Sequence, residues 1–367
     1  MNGIQLVGLI GGILIGLYSF YVLLRISKFI TKSYKIWAIL LCLIPAILFG
    51  YSCSNMWGKY FLVMIFIMVF SLICNLVYVI YLLIIKKKNK KKSQVLYEIH
   101  ISMIIPLMAT VIMIFIGLAK MNKIVETDYS YITTKTNNHY KIAFISDTHY
   151  DTIQNTKYID ETVDKLNTYD LDLLILGGDI VDENTSKESM KEVFYKFSKV
   201  NTKFGKYYVY GNHDRQGYKR TKTFNVQELD LAIESSGITI LFDEYEIINN
   251  DILLIGRTDK SVKTRYDIDE ILDDGINISD YYTIVIDHQP LDFESNSKLG
   301  VDLELSGHTH AGQIWPLSLI IKIFQNKYVY GEYKIDNSYL VVSSGFTGWG
   351  YPIRTEKYCE YVIVSIN

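Results

Sequence analysis

Five short segments in the C-terminal part of the chain carry residue types that bind metal ions or transfer protons. Each follows an apolar run rich in β-branched or aromatic residues, and most contain glycine beside an Asp, Asn or His. The chain has seven histidines, and five of them lie in these segments. The segments are Ser146-Asp147-Thr148-His149, Gly177-Gly178-Asp179, Gly211-Asn212-His213-Asp214, Asp287-His288-Gln289-Pro290 and Ser306-Gly307-His308-Thr309-His310.

The residue types and their spacing suit a pair of divalent cations. Asp147 and His149, like His308 and His310, are two residues apart, so their side chains project to the same side at a strand end. Imidazole, carboxylate and amide ligands suit manganese, iron or zinc rather than a soft metal. Two such ions clamp a displacement at phosphorus and lower the pKa of a bridging water. One motif alone is weak evidence, but five in order favour metal-dependent hydrolysis of a phosphate ester.

The apolar runs before these segments predict the strands that must position them. Helical stretches near 158–169 and 187–198 separate the first three runs, as in an α/β domain. Such a domain carries its chemistry at the carboxyl ends of its strands. The predicted strands are Lys141–Ile145, Asp172–Leu176, Tyr207–Tyr210, Tyr282–Ile286 and Val301–Leu305.

The first 119 residues have a different character, with four long apolar segments. Three of the segments reach the ~20 residues that a membrane helix needs, and the second is shorter. Pro45 and Pro106 predict kinks in the second and fourth segments. The predicted N-terminal α-helical transmembrane bundle therefore has four helices, at 4–24, 36–57, 61–85 and 98–119. The predicted domains are this transmembrane region (1–119), a tether with an edge strand (120–139) and an α/β domain (140–367).

The distribution of charge predicts orientation and excludes one class of partner. The first and third loops between the apolar segments carry ten Lys/Arg, whereas the second loop carries only Lys59. The positive-inside rule places those two loops in the cytoplasm, so four spans put the C-terminal domain on the extracytoplasmic side. The first 119 residues hold 11 of the 37 basic and one of the 39 acidic residues, so the rest carry 26 and 38, a net charge of −12. This acidity argues against a nucleic-acid partner.

In order and residue type, the five segments resemble the calcineurin-like metallophosphoesterase superfamily, over roughly Tyr140 to Ile366. The run Ser-Gly-His-Thr-His-Ala-Gly-Gln and the later glycine-rich stretch Ser344–Gly350 are similar to its bacterial membrane-anchored branch. The resemblance implies a four-layer αββα sandwich of two mixed sheets. It also implies two divalent metal ions, with manganese as the expected activator and iron or zinc as alternatives.

The resemblance further implies a role for each residue. His213 would stabilise charge on the phosphoryl group and protonate the leaving oxygen, and Asp214 would orient His213 by a hydrogen bond. Asp179 would bridge both ions. The remaining ligands would be Asp147, His149 and His310 for the first ion, and Asn212, His288 and His308 for the second. Separately, Arg354 is a candidate for binding a substrate phosphate, with an ordinary surface position as the alternative.

These features lead us to expect a membrane-anchored enzyme that hydrolyses phosphate mono- or diesters through a metal-bridged hydroxide. A short tether to the bilayer favours a lipid-linked or cell-envelope substrate. The alternative is a membrane sensor or scaffold with a catalytically minor phosphatase domain, which a missing ligand would favour; none is missing. A transporter is disfavoured because the apolar runs of the predicted spans, Ile101–Ala119 in the fourth, hold no charged residue. Asp151 and Asp182, beside the motifs, are expected to be solvated or to cap helices.

Overall fold

The computed structural model describes residues 3–32, 36–55, 58–272, 275–324 and 327–367. The chain divides into two compact units, Met1–Ile116 and Gly117–Asn367. Among the described residues, three helices are long and apolar enough to cross a membrane, over Gly8–Thr31, Tyr60–Lys87 and Ile104–Met121. The helices of this region are α1 (Gly3–Thr31), α2 (Ile36–Ser52), α3 (Lys59–Lys87), α4 (Gln94–Ser102) and α5 (Ile104–Met121).

Small residues bring the backbones of α1 and α2 into contact. A Cβ atom on Gly12 would lie 2.5 Å from the carbonyl oxygen of Gly50, and one on Gly16 would lie 3.3 Å from that of Ala46. The pairs 12–50 and 16–46 run in opposite directions along the chain, so the two helices are antiparallel. Small residues four apart on facing helices are typical of helix packing in membranes. Although α2 has only 17 residues and contains Pro45, it therefore runs back along α1.

The fourth apolar segment was predicted as one helix over 98–119 with a kink at Pro106. In the structure it forms two helices, α4 and α5. The chain breaks at Met103, whose φ of 61° lies in the left-handed region, between α4 and α5. Pro106 explains the break, because proline cannot donate to the carbonyl four residues earlier and its ring clashes there. Restarting the helix at Ile104 places Pro106 in the first turn, where no such bond is needed.

The first helix is longer than predicted and includes ionisable residues. It continues beyond Leu24 to Thr31, and the apolar span within it contains Arg25. The guanidinium donates to Oδ1 of Asn75 at 2.8 Å and lies 3.3 Å from Nε2 of His100. The prediction that the spans lack charged residues is therefore wrong for α1.

Two six-stranded mixed sheets form the centre of the C-terminal unit in the part of it that the structure describes. Across the first sheet the order is β1 (Ile124–Tyr131), β12 (Cys359–Ile366), β2 (Tyr140–Ile145), β3 (Leu173–Leu176), β4 (Lys206–Tyr208), β5 (Thr239–Ile240). Across the second it is β10 (Gly331–Ile335), β11 (Ser338–Val342), β9 (Leu303–Ser306), β8 (Tyr282–Ile286), β7 (Ile252–Gly256), β6 (Glu244–Ile248). Strands β2, β3 and β4 are parallel to one another, as are β7, β8 and β9.

Alternation along the strands builds the layers. In β2, Ile142 and Phe144 face the second sheet and pack in one core with Ile284 and Ile286. Ala143, also in β2, belongs to the opposite core, formed with helices on the outer face. A further core covers the outer face of the second sheet, so the predicted four-layer αββα sandwich is confirmed. The helices of this unit are α6 (Lys157–Leu166), α7 (Lys187–Ser198), α8 (Val226–Ser235), α9 (Ile268–Ile271), α10 (Phe293–Leu299) and α11 (Leu317–Phe324).

The region 120–139, predicted as a tether with an edge strand, contains the strand β1 at the edge of the first sheet. β1 pairs in parallel with β12 over eight residues, from Ile124 opposite Cys359 to Tyr131 opposite Ile366. Its β-branched and aromatic side chains suit this position. The tether before the strand is short, since only Asn122 and Lys123 separate the last residue of α5 from β1.

Phe144 offers a test of the inter-sheet core that supports the strand ends. It is fully buried, and its ring lies so close to Gly177 that a Cβ there would collide with it. Phe144→Ala should lower the free energy of unfolding by about 3–5 kcal/mol, because it leaves a cavity between the sheets. Thermal unfolding of the full-length protein in detergent measures this change. Tyr195→Ala is the matched control, since Tyr195 is 61% exposed; equal melting temperatures for the two variants would contradict this account of the core.

Candidate metal centre

The predicted ligands converge because the strands before them are parallel neighbours. Asp147 and His149 follow β2, Asp179 follows β3 and Asn212 follows β4, all at the carboxyl edge of the first sheet. His288 follows β8, and His308 and His310 follow β9, at the corresponding edge of the second. Five of these seven residues have a positive φ, which non-glycine residues rarely adopt: Asp147 (56°), His149 (38°), Asp179 (51°), His308 (69°) and His310 (48°). Such strain persists where the surroundings hold it, most often at functional sites.

Asp147, His149 and His310 form one cluster of convergent ligand atoms. All three residues are buried, and one donor atom from each lies within 4.8 Å of the others. The Nε2 atoms of His149 and His310 are 3.3 Å apart, and Nε2 of His310 is 3.5 Å from Oδ1 of Asp147. Nδ1 of His310 is 3.1 Å from the carbonyl oxygen of Thr347, which directs Nε2 into the cluster.

Asp179, His288 and His308 form a second cluster with the same spacing. Nε2 of His288 lies 3.1 Å from Oδ2 of Asp179, and its Nδ1 lies 2.8 Å from the carbonyl oxygen of Gly177. Asn212 follows Gly211, whose backbone contacts Asp179, and precedes His213, whose backbone N–H donates to Oδ1 of Asp179 at 2.8 Å. Asn212 is thus held next to the shared carboxylate.

Asp179 connects the two clusters. Its Oδ2 atom is 3.1 Å from His288 in the second cluster and 4.0 Å from Nε2 of His149 in the first. The side chain is 2% exposed, so its charge requires nearby compensation. One buried carboxylate oxygen therefore lies within reach of cations in both clusters.

The donor set fits divalent metal ions. Oδ1 of Asn212 is buried and makes no hydrogen bond to any described residue, although such an atom normally finds a partner. Burial lowers the pKa of His310 to about 3, so its imidazole is neutral, which is the form that binds metal. The converging lone pairs of the neutral His310 imidazole and the buried carboxylates repel one another unless a cation lies between them.

Two glycines permit the close approach of these loops. A Cβ atom on Gly178, whose φ is 86°, would lie 2.5 Å from the backbone nitrogen of Gly211 and 2.8 Å from Nδ1 of His288. A Cβ atom on Gly307 would collide with the carboxylate of Asp147. Any larger residue would therefore separate loops that come from different strands.

His213 lies beside the clusters and is held by Glu183, an acid that belongs to none of the five sequence segments. Its Nδ1 atom is 2.7 Å from Oε2 of Glu183, and its ring centroid is 4.9 Å from that of Trp349. Burial lowers the pKa of His213, but the charge of Asp179 and the hydrogen bond to Glu183 outweigh it and raise the pKa to about 9. A cation beside Asp179 would cancel that carboxylate's contribution, leaving Glu183 as the partner of the imidazolium.

Asp214 does not orient His213, contrary to the prediction. Its carboxylate accepts backbone hydrogen bonds from Asp179 at 2.7 Å, Val181 at 3.0 Å and Gly211 at 2.6 Å. Burial, with the nearby Asp179 charge, raises the pKa of Asp214 to about 6. Asp214 thus joins the loops after β3 and β4, and its effect on the site is through the position of Asp179.

Arg354 is not at the surface, and no substrate phosphate could reach it in this position. The residue is fully buried, and its terminal nitrogens donate to backbone carbonyl oxygens. The acceptors are Gly345 (3.3 Å), Thr347 (2.7 Å), His310 (2.8 Å) and Ser344 (2.5 Å). The prediction of a substrate contact fails because the guanidinium instead holds the loop after β11 against His310.

Two further residues, Asp182 and Gln313, support the site although no role was predicted for them. Oδ2 of Asp182 lies 3.4 Å from Nδ1 of His149, so this acid supports a ligand instead of being solvated. Gln313 donates to the carbonyl oxygens of Tyr351 at 2.9 Å and Ile353 at 3.1 Å, and accepts from the backbone of Trp349 at 2.8 Å. The only sequence signal for Gln313 was its place at the end of the last motif. Asp151, by contrast, accepts from Ser189 and takes no part in the site.

The different partners of Glu183 and Asp214 predict different variant phenotypes. Glu183→Gln should keep both metals and lower turnover by roughly 10–10²-fold, less than the ~10²–10⁴-fold that a positioned acid contributes. Asp214→Asn should lower the free energy of unfolding by about 1–3 kcal/mol and reduce metal content, because buried N–H groups lose a charged acceptor. Turnover, metal content and melting temperature of both variants decide the matter. If Asp214→Asn lost only turnover and Glu183→Gln lost nothing, Asp214 would be the partner of His213 after all.

Comparison with known proteins agrees with the fold of the C-terminal unit. The family model described as calcineurin-like phosphoesterase matches residues 140–312. An uncharacterized metallophosphoesterase of Helicobacter pylori is 32% identical over 58% of this chain and 56% of its own length, so the chain spans a little over half of that relative. One from Campylobacter jejuni is 27% identical over 74% of this chain and 72% of its own.

A similarity also exists to a membrane protein of an animal. The transmembrane protein with metallophosphoesterase domain of Bos taurus is 28% identical over 61% of this chain and 52% of its own. The name of that relative combines a transmembrane part with a metallophosphoesterase domain. The family model matches only the C-terminal part of the present chain. The two-sheet unit that carries the paired clusters is a domain of the calcineurin-like phosphoesterase family.

Proposed function

We propose that this chain is a membrane-anchored hydrolase of phosphate mono- or diesters that uses two divalent metal ions. The observation that supports this most strongly is the position of Asp179. Its Oδ2 lies 3.1 Å from Nε2 of His288 in its own cluster and 4.0 Å from Nε2 of His149 in the other. A carboxylate shared by two ligand clusters suits two ions a few ångströms apart, an arrangement that serves displacement at phosphorus. A degenerate domain with a signalling role would not need all seven ligand positions.

The proposed ligands follow the clusters. Asp147, His149 and His310 would hold the first ion, Asn212, His288 and His308 would hold the second, and Asp179 lies within reach of both positions. When bound, the ions neutralise phosphate charge and activate a water molecule. Manganese is the activator we propose, with iron or zinc as alternatives, because imidazole, carboxylate and amide donors suit these borderline metals.

His213 is proposed as the general acid. When the bond between phosphorus and the ester oxygen breaks, that oxygen needs a proton, and an imidazolium supplies it. The hydrogen bond between Nδ1 and Glu183 leaves Nε2 as the donating atom and stabilises the charged ring. The rings of Trp349 and Tyr218, with centroids 4.9 Å and 5.1 Å from that of His213, flank the same position. They offer apolar surface to the organic part of an ester.

Membrane anchoring leads us to propose a lipid-linked or cell-envelope substrate. Only two residues separate α5 from β1, so the catalytic domain begins where an apolar helix ends. We further propose that α2 also spans, because it is packed antiparallel along α1 through Gly12, Gly16 and Gly50. Four spans and the lysine-rich loops then place the domain outside the cytoplasm.

Paired substitutions separate metal binding from proton transfer. Asp179→Asn should remove metal from both clusters, because they share this carboxylate. His213→Ala should keep two ions per chain and lose roughly 10²–10⁴-fold in turnover. The assay uses the full-length protein in detergent, reconstituted with manganese, iron or zinc, on aryl phosphomonoesters and phosphodiesters. Less than one ion per chain and no turnover with any metal would disprove the hydrolase proposal.

The side of the membrane is tested by proteolysis of cells that express the chain. Protease added to intact protoplasts should digest the C-terminal domain, because we propose four spans and because ten basic residues follow the first and third apolar segments, at the ends of α1 and α3 and in the loops after them. A cytoplasmic marker protein serves as the control for lysis. Digestion only after lysis would place the domain in the cytoplasm and shift the candidate substrates to inner-leaflet lipids and nucleotides.

A further inference from the structure

Helix α11 exposes apolar side chains that do not pack into the core of the domain. Among its eight residues, Leu319 is 57% exposed, Ile323 is 72% exposed and Phe324 is 78% exposed, and none is fully buried. Leu317 and Ile320 are also exposed. Contiguous apolar surface on a folded domain marks a site of contact with a membrane or another molecule.

One polar residue attaches α11 to the rest of the domain. The hydroxyl of Ser318 donates to Oε1 of Glu356 at 2.7 Å. The other polar residue, Lys322, is exposed to the surroundings. Five of the six apolar side chains of α11 are also exposed and so do not pack against the domain.

The segment that holds α11 also holds the end of the membrane helix α5. Just before α11, the backbone nitrogen of Trp315 donates to Oγ1 of Thr355 at 2.8 Å. Nζ of Lys120, in the last turn of α5, donates to the carbonyl oxygens of Thr355 at 3.0 Å and Glu356 at 2.7 Å. Both helices are thus attached to the same two residues, Thr355 and Glu356.

A second contact strengthens this attachment of α5. The backbone nitrogen of Arg354 donates to the carbonyl oxygen of Gly117 at 3.1 Å. A Cβ atom on Gly117 would collide with the side chain of Ile353, so this side chain packs directly against the backbone of the helix. Hence α11 lies beside the point where the chain leaves its apolar helix.

The surroundings have the composition of a membrane interface. From Pro316 to Phe324 the chain has no acidic residue and one lysine, although the residues after Ala119 carry a net charge of −12. Tyr358 is 40% exposed, and the amino groups of Lys120 and Lys123 lie 5.8 Å and 5.1 Å from its ring centroid. Tyrosine and lysine concentrate at the headgroup level of bilayers.

We propose that α11 lies in the surface of the bilayer that α5 enters, with its apolar side chains among the lipids. The helix is short, and its affinity for lipid adds to an anchor already in place, so no strong independent binding is needed. Only six residues separate His310 from Leu317, so the metal centre lies at most about 25 Å from this contact. Phosphate groups at the headgroup level then become the accessible substrate class, which rests on the proposed hydrolase function; the bilayer contact itself does not.

A second copy of this chain is the rival occupant. The bilayer fits better, because the α5 end and α11 share Thr355 and Glu356, so any bilayer around α5 is adjacent to α11. Lys322 and the lysines around Tyr358 also match anionic headgroups.

The experiment measures the contact of α11 with lipid in the full-length chain. Leu319→Cys and Ile323→Cys variants are labelled with an environment-sensitive fluorophore and reconstituted in phosphatidylcholine vesicles that contain nitroxide-labelled phosphatidylcholine. Leu231→Cys on α8 is the matched control, since Leu231 is a 66% exposed leucine on another helix of the domain. The wild-type chain, labelled in parallel, gives the background from the four native cysteines.

Lipid-borne nitroxides should quench the probes on α11 at least about twofold more than the probe at Leu231, because an interfacial helix buries its apolar face roughly 5–10 Å into the headgroup region. Equal quenching at all three positions would overturn the proposal. Cross-linking of two chains through the Ile323→Cys thiol without extra quenching would also overturn it and assign the helix to a second copy. Neither readout depends on turnover, so failure here is distinct from failure of the hydrolase proposal.

Discussion

The shared carboxylate of Asp179 is the constraint on which the rest of the site depends. It must lie within reach of both clusters while remaining buried, with Oδ2 3.1 Å from His288 and 4.0 Å from His149. A displacement of about 1 Å would move the carboxylate out of reach of one of the two clusters. Because the ligands come from loops on two different sheets, the sandwich must bring the carboxyl edges of both sheets together and hold them there.

Hydrogen bonds from buried ionic side chains to the backbone supply this rigidity. The carboxylate of Asp214 joins the loops after β3 and β4, and the guanidinium of Arg354 joins His310 to the loop after β11. Charged partners make stronger hydrogen bonds than neutral ones, particularly when buried. They hold the positive φ angles of Asp179 and His310, which would relax in an unsupported loop. Asp214 and Arg354 thus contribute to the metal centre through geometry and not by contact with substrate.

The sequence was sufficient to identify the candidate ligands but not the residues that support them. The ligands are residue types with few other uses at strand ends, and their spacing by two follows from strand geometry, so Asp147, His149, His308 and His310 could be identified together. Glu183 forms a hydrogen bond with His213, but nothing in its sequence context distinguishes it from an ordinary surface acid. Arg354 was misassigned because arginine is usually exposed, and only the fold shows that four carbonyl oxygens surround it. The edge strand in 120–139 was expected, but its pairing with β12 could not be predicted, because β12 lies more than 200 residues away along the chain.

The central claim is that Asp179 holds two ions close together. X-ray absorption spectroscopy of the manganese-loaded full-length protein tests it most directly, since scattering between metals reports their separation. The account predicts nitrogen and oxygen ligands around each ion and a metal–metal distance of roughly 3.5–4 Å, the range of two-metal hydrolases. A fully loaded sample with the same light-atom shell and no metal–metal scattering would contradict it, since the two clusters would then be independent sites.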